Sequence, residues 1–169
     1  MRADIKASLD AAIKKNAEQK SVREKKRLAD EDERAKSLAQ FKRLCAEVIR
    51  PVMDEFAARL KEAGHGVAIE TTDEIHDLNG AVTSRDAISM KMYPQGIPTA
   101  EFFRSASGAP HITFTFDAYA GRTITIFTSN VFPGSGGRAG SSGTLSFPDV
   151  VVPRVEAEVL KAVQAVLSK

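Results

Sequence analysis

The chain has 169 residues, of which 43% are hydrophobic and 27% charged. This composition excludes wholesale disorder. The length fits one domain, or a smaller domain with a helical extension. A single cysteine, Cys45, excludes an intramolecular disulfide framework and favours a reducing, cytoplasmic compartment. No stretch approaches the roughly 18 uninterrupted apolar residues of a membrane span, and the first twenty residues lack the apolar core of a secretory signal. We therefore predict no membrane span.

The net charge of +2 is unevenly distributed along the chain. Residues 1–62 carry 16 Lys and Arg against 12 Asp and Glu, whereas residues 63–169 carry 8 against 10. This asymmetry is compatible with an anionic partner near the N-terminus without requiring one.

The first 36 residues predict a charged helical arm. Residues 1–50 contain neither Gly nor Pro, so one helix could run most of that length, roughly 75 Å. Apolar residues are too sparse in the arm to form a packing face, which favours a solvated helix; a helical hairpin turning near residues 29–32 remains an alternative. The arm also offers a basic surface for nucleic acid, formed by Lys14, Lys15, Lys20, Arg23, Lys25, Lys26 and Arg27.

A helix is predicted over residues 37–63, with an apolar seam whose members recur at steps of three and four. Pro51 predicts a kink near residues 47–50, because it lacks an N–H and its ring crowds the preceding turn. Gly64 should end the helix. The seam can pack on a second copy of the chain, as in a coiled coil, or on the protein's own sheet; its residues are Leu38, Phe41, Cys45, Val48 and Val52.

Alternating apolar and polar residues predict three to four antiparallel strands over residues 66–130. The clearest pair is a hairpin of residues 112–117 and 123–126, with a turn at Ala120-Gly121 and a Thr-rich outer face. Earlier strands are predicted at residues 67–72 and 87–93, and Asn79-Gly80 is typical of a hairpin turn.

The C-terminal part is predicted to be a Gly/Ser-rich loop over residues 131–148 followed by a helix over residues 153–168. Pro153 suits the first turn of that helix, whose apolar face should pack on the sheet. The expected fold class is α+β: a long N-terminal helix kinked near Pro51, an antiparallel sheet and a C-terminal helix, with residues 37–169 as a single domain.

Motifs for catalysis and ligand binding are weak. The Gly/Ser-rich loop lacks the lysine of a phosphate-binding loop, and no serine stands in a nucleophile motif. Asp73, His76 and Asp77 carry metal-ligand chemistry, but no second cluster completes a coordination shell, so no metal site and no cofactor are predicted. Cys45 is interpreted as a small buried hydrophobic residue.

These patterns favour a non-enzymatic interaction or scaffold protein. We expect it to form a homodimer through the seam and to present a small α+β domain to a protein partner. The alternative function is nucleic-acid binding by the basic positions of the arm.

Overall fold

In a computed structural model, the described residues are 3–76, 78, 82–104, 108–117, 123–134 and 136–168. The chain divides into two units, Met1–Ala39 and Gln40–Lys169. Because the first unit is helical in its described part, the sheet and its packing belong to the second unit.

The chain is helical from Ala3 to Glu62, as predicted. Helix α1 spans Ala3–Leu44, a π-helical turn follows at Cys45–Ile49, and helix α2 spans Arg50–Glu62. The irregularity expected near Pro51 takes the form of this π turn, in which the Arg50 N–H donates to the Cys45 carbonyl five residues earlier. Pro51 falls in the first turn of α2, directly after the π turn, and its missing N–H and its ring are the physical reason for the irregularity there.

Helix α2 ends at Glu62, two residues before Gly64, which the sequence predicts to terminate it. Gly64 has a φ of 86°, a left-handed conformation that glycine adopts without a Cβ clash. The N–H of Gly64 donates to the Lys61 carbonyl at 2.9 Å and that of His65 to the Leu60 carbonyl at 3.0 Å. This pattern satisfies the last helical carbonyls and directs the chain into the first strand.

The main sheet has five antiparallel strands, so the predicted number of three to four strands was too low. The outer strands are β1 (Gly66–Thr72) and β7 (Ala139–Ser146). Between them lie β4 (Ala87–Tyr93), β5 (His111–Asp117) and β6 (Thr123–Ser129), and the order across the sheet is β1-β4-β5-β6-β7. Strands β2 (Ile75–His76) and β3 (Val82–Ser84) form a separate two-stranded ribbon, and the predicted turns at Asn79-Gly80 and Ala120-Gly121 lie outside the described residues.

Strand β7 corrects the prediction of a loop throughout residues 131–148. It pairs with β6 over its whole length, with a register shift between Ile126 and Phe127. Of its side chains, Leu145 alone is buried. Backbone hydrogen bonds rather than an apolar pattern therefore hold this strand in the sheet.

One face of the sheet is core and the other is Thr-rich, as predicted. Strands β4 and β5 alternate between buried and half-buried residues, and the register places Thr115 beside Thr125 on the open face. The covered face carries α2 and helix α4, which spans Val152–Leu167 and buries Val155, Val159, Ala162, Val163 and Val166. A short helix, α3 (Thr99–Arg104), precedes β5. No helix in the described part of the chain is long and apolar enough to cross a membrane.

Candidate functional site

The basic positions of the arm all lie on the exposed surface of α1. Residues 14–27, here called the basic segment, contain seven Lys and Arg against two acids, Glu18 and Glu24, which gives a net charge of +5. Every residue of the basic segment is exposed and helical. This is a dense positive charge on a single element.

Arg27 differs from the other basic residues of this segment because it already has acidic partners. Its guanidinium donates to Glu24 at 2.6 Å and to Glu31 at 2.5 Å. The hydrogen bond from Arg27 lowers the pKa of the Glu24 carboxyl, and these two acids in turn raise the pKa of Arg27. Lys14, Lys15, Lys20, Arg23, Lys25 and Lys26 therefore carry the charge that a partner would meet.

Seam residues in the second unit pack inside the chain. Phe41, only 2% exposed, stacks on Phe116 of β5 with ring centroids 5.3 Å apart. Cys45 and Val52 are also buried, and Val48 is half-buried. These contacts correspond to the alternative in which the seam packs on the protein's own sheet. The fifth member, Leu38, belongs to the first unit.

A cleft of about 240 Å³ opens beside these buried residues, between the helix and the start of β4. The helix contributes one wall, with the small side chain of Ala46 between two cations, and the end of β1 contributes the other wall. The cleft is lined by Phe41, Lys42, Cys45, Ala46, Arg50, Thr71, Thr72, Asp73, Asp86, Ala87 and Ile88.

Lys42 holds two carboxylates at one end of the cleft. Its Nζ lies 2.8 Å from Asp73 Oδ1 and 3.6 Å from Asp86 Oδ1. Asp86 is only 4% exposed, so the nearby ammonium compensates a carboxylate that would be costly to bury alone. The hydrogen bond with Asp73, followed by attraction to both acids, raises the pKa of Lys42.

Cys45 also lines the cleft. Burial, with a smaller contribution from the negative charge of Asp86, raises the pKa of the Cys45 thiol to about 12. The thiol is therefore neutral at physiological pH, which argues against thiolate chemistry at this position.

Among the described residues, no group of three or more His, Cys, Asp or Glu could hold a metal ion. Asp73 is paired with Lys42, whereas the His76 side chain and Asp77 lie outside the described residues. His65 accepts a hydrogen bond from the Gln95 N–H at 3.0 Å, and His111 stacks on Phe127.

Comparison with known proteins finds no matching family model, no similar curated protein and no similar solved structure. Sequence reasoning identified the basic segment but missed the cleft. A signal was present in the spacing of Lys42, Ala46 and Arg50, two cations on one helical face separated by a small residue.

Proposed function

We propose that the protein binds duplex nucleic acid through the basic segment of helix α1. The observation that carries this proposal is the net charge of +5 on 14 consecutive, exposed helical residues. Clustered lysines and arginines neutralise phosphates and release counterions, which supplies most of the free energy of non-specific binding.

The distribution of charge around the helix suits a groove better than a flat surface. At 3.6 residues per turn, Lys14 and Lys25 lie on one side of the helix, and Lys20 and Arg23 lie on the opposite side. A helix lying in the major groove has phosphates on both of its flanks. An α-helix of about 10–12 Å diameter fits a groove about 12 Å wide.

Over residues 10–33, which are all exposed, α1 has no apolar face, and this supports the same proposal. Ile13, Val22 and Leu28 are each exposed over half or more of their surface, and their spacing places them on different sides of the helix. A partner helix would need a continuous apolar stripe, whereas a polyanion needs only the cations. The single thiol of the chain fits the cytoplasmic compartment in which such a partner occurs.

The test is fluorescence anisotropy with a labelled random-sequence DNA or RNA duplex at several salt concentrations. We expect the affinity to fall steeply between about 50 and 200 mM salt. A triple variant, Lys15→Gln, Lys20→Gln and Lys26→Gln, should weaken binding and reduce the salt slope by about one for each lysine that contacts a phosphate. Glutamine retains a high helix propensity, so α1 should persist.

The matched control is Arg59→Gln, Lys61→Gln and Lys161→Gln, which removes the same net charge from exposed positions of the second unit. This control should leave binding nearly unchanged. The proposal is wrong if the full chain shows no salt-dependent binding of either duplex, or if the two triple variants lose affinity equally. Binding of an acidic protein but of neither duplex would instead assign the basic segment to a protein partner.

Self-association through the seam remains a prediction with less support. Homodimerisation in the manner of a coiled coil requires the seam side chains to face a second copy, and Phe41, Cys45 and Val52 are buried against the chain's own sheet. Light scattering on wild type and Val48→Asp addresses this hypothesis, because Val48 is the half-buried seam residue of the second unit. A dimer mass for wild type that falls to the monomer mass in the variant would support it.

A further inference from the structure

The cleft between the helix and β4 is not used by the proposed nucleic-acid site, and its lining points to a ligand of its own. We propose that it binds a small organic carboxylate with an apolar body, with Arg50 as the anchor for the carboxylate. All of the residues that carry this inference belong to the second unit.

The cations of the cleft differ in how they are engaged. Lys42 is held by Asp73 and Asp86, so that end of the cleft already has an excess of negative charge. Arg50 forms no ion pair with a described residue, and its Nη1 donates one long hydrogen bond of 3.4 Å to Thr71 Oγ1. Its remaining donors can bind a ligand carboxylate through two parallel hydrogen bonds.

The rest of the cleft lining is largely apolar and favours a ligand with an apolar group next to its carboxylate. Phe41, Cys45, Ala87 and Ile88 are buried apolar residues that border the cleft, and exposed Ala46 leaves the space above them open. The volume of about 240 Å³ is below the roughly 300–1,000 Å³ of sites for drug-sized ligands. A compact metabolite fits this volume better than a nucleotide or a peptide.

The positive charge of Arg50 disfavours a cationic ligand at its end of the cleft. An amine would have to compete with Lys42 for Asp73 and Asp86, which already share its ammonium group. A carboxylate, by contrast, meets a guanidinium whose charge is uncompensated. We therefore expect the sign of the ligand charge to decide binding.

The experiment uses phenylacetate as the probe, with phenethylamine and 2-phenylethanol as the cationic and neutral counterparts of similar shape. In ¹H–¹⁵N spectra of the full chain, millimolar phenylacetate should shift the amide signals of Ala46, Arg50, Thr71 and Ala87 in a saturable way. Phenethylamine and 2-phenylethanol should not. Acetate, which has the charge without the apolar body, should bind about tenfold more weakly or not at all.

Two variants test the assignment of the site. Arg50→Gln should weaken phenylacetate binding about tenfold or more, since it removes a charged hydrogen-bond donor. Ala46→Leu should block the cleft from an exposed position, so the fold should be preserved. Arg59→Gln is the control on the same helix, because Arg59 is exposed and does not line the cleft.

The inference is overturned if phenylacetate leaves these four amide signals unshifted, if phenethylamine shifts them equally, or if both variants bind as wild type does. Shifts confined to residues 14–27 would reveal only anion association with the basic segment and would also overturn it. If Arg50→Gln loses the dispersed spectrum of a folded protein, Ala46→Leu decides the question. Duplex binding is measured separately, so failure here leaves the nucleic-acid proposal standing.

Discussion

Cys45 illustrates how far a single residue can be interpreted from sequence. Its place on the apolar seam predicts burial, and the structure leaves it 6% exposed. Its electrostatic setting has a different origin, because Asp86 is 41 positions away in sequence and approaches only through the fold. Periodicity thus predicts which face of an element a side chain occupies, but not which charge lies opposite.

The raised pKa of the Cys45 thiol predicts a loss of stability at high pH. The thiol has an ordinary pKa of 9.0 and a pKa of about 12 in the folded protein. The stability gained from the neutral thiol is therefore fully present below pH 9 and is lost as the pH rises from 9 towards 12. We expect the free energy of unfolding to fall by up to about 1.4 kcal/mol per pH unit in that interval, relative to Cys45→Ala.

Urea denaturation of wild type and Cys45→Ala at neutral pH and at two values above pH 9 measures this effect. Titration of lysines and tyrosines affects both proteins and cancels in the difference between them. A difference in unfolding free energy that stays constant with pH would contradict the assignment.

At the scale of elements, the sequence predicted those helices and strands whose apolar residues recur with a strong period. The helix around the seam, the β5–β6 hairpin and helix α4 were all predicted because their apolar residues recur at the spacing of one face. Strand β7 was missed because Gly140, Ser141, Ser142 and Gly143 have no such pattern. Its place in the sheet depends on backbone pairing with β6, and side-chain patterns do not record that pairing.

Gly137 lies just before β7. We expect an alanine at Gly137 to destabilise the protein more than an alanine at Gly140. A Cβ at Gly137 would lie 2.5 Å from Val131 Cα and 2.7 Å from the Asn130 carbonyl oxygen, both backbone atoms. Gly137→Ala must therefore displace the backbone and should lower the free energy of unfolding by about 1–3 kcal/mol. Urea denaturation measures this change.

Gly140→Ala is the matched control, since a Cβ there meets nothing within 4 Å. It should change the free energy of unfolding by no more than about 0.5 kcal/mol. Equal effects of the two substitutions would mean that the chain does not pass this close to Val131 on its way into β7.

For the whole molecule, the main contrast is between an α+β unit with a packed core and a helical unit whose described side chains are mostly exposed. The second unit contains all five strands of the main sheet and the large buried side chains, among them Phe41, Phe114 and Phe116. In the first unit, residues 10–33 are exposed. The low apolar content of the arm is the physical reason for this contrast, because such a segment lacks the residues needed for a core.

This contrast predicts where proteases act first. Cleavage of a folded protein requires local opening, and the exposed part of α1 is stabilised mainly by its own backbone hydrogen bonds and by pairs such as Arg27 with Glu24. Isolated helices of this kind are marginally stable in water. Trypsin should therefore cut first among the seven Lys and Arg of the basic segment and leave a resistant fragment that contains the sheet.

A time course analysed by mass spectrometry tests this order of cleavage, with Arg59, Lys61 and Lys161 as the reference sites in packed helices. Cuts at those three sites at the same rate as in the basic segment would contradict it. The same experiment bears on function, because a bound duplex covers the basic segment and removes its opened state from the equilibrium. Saturating duplex should then slow cleavage within residues 14–27 and leave the rate at the three reference sites unchanged.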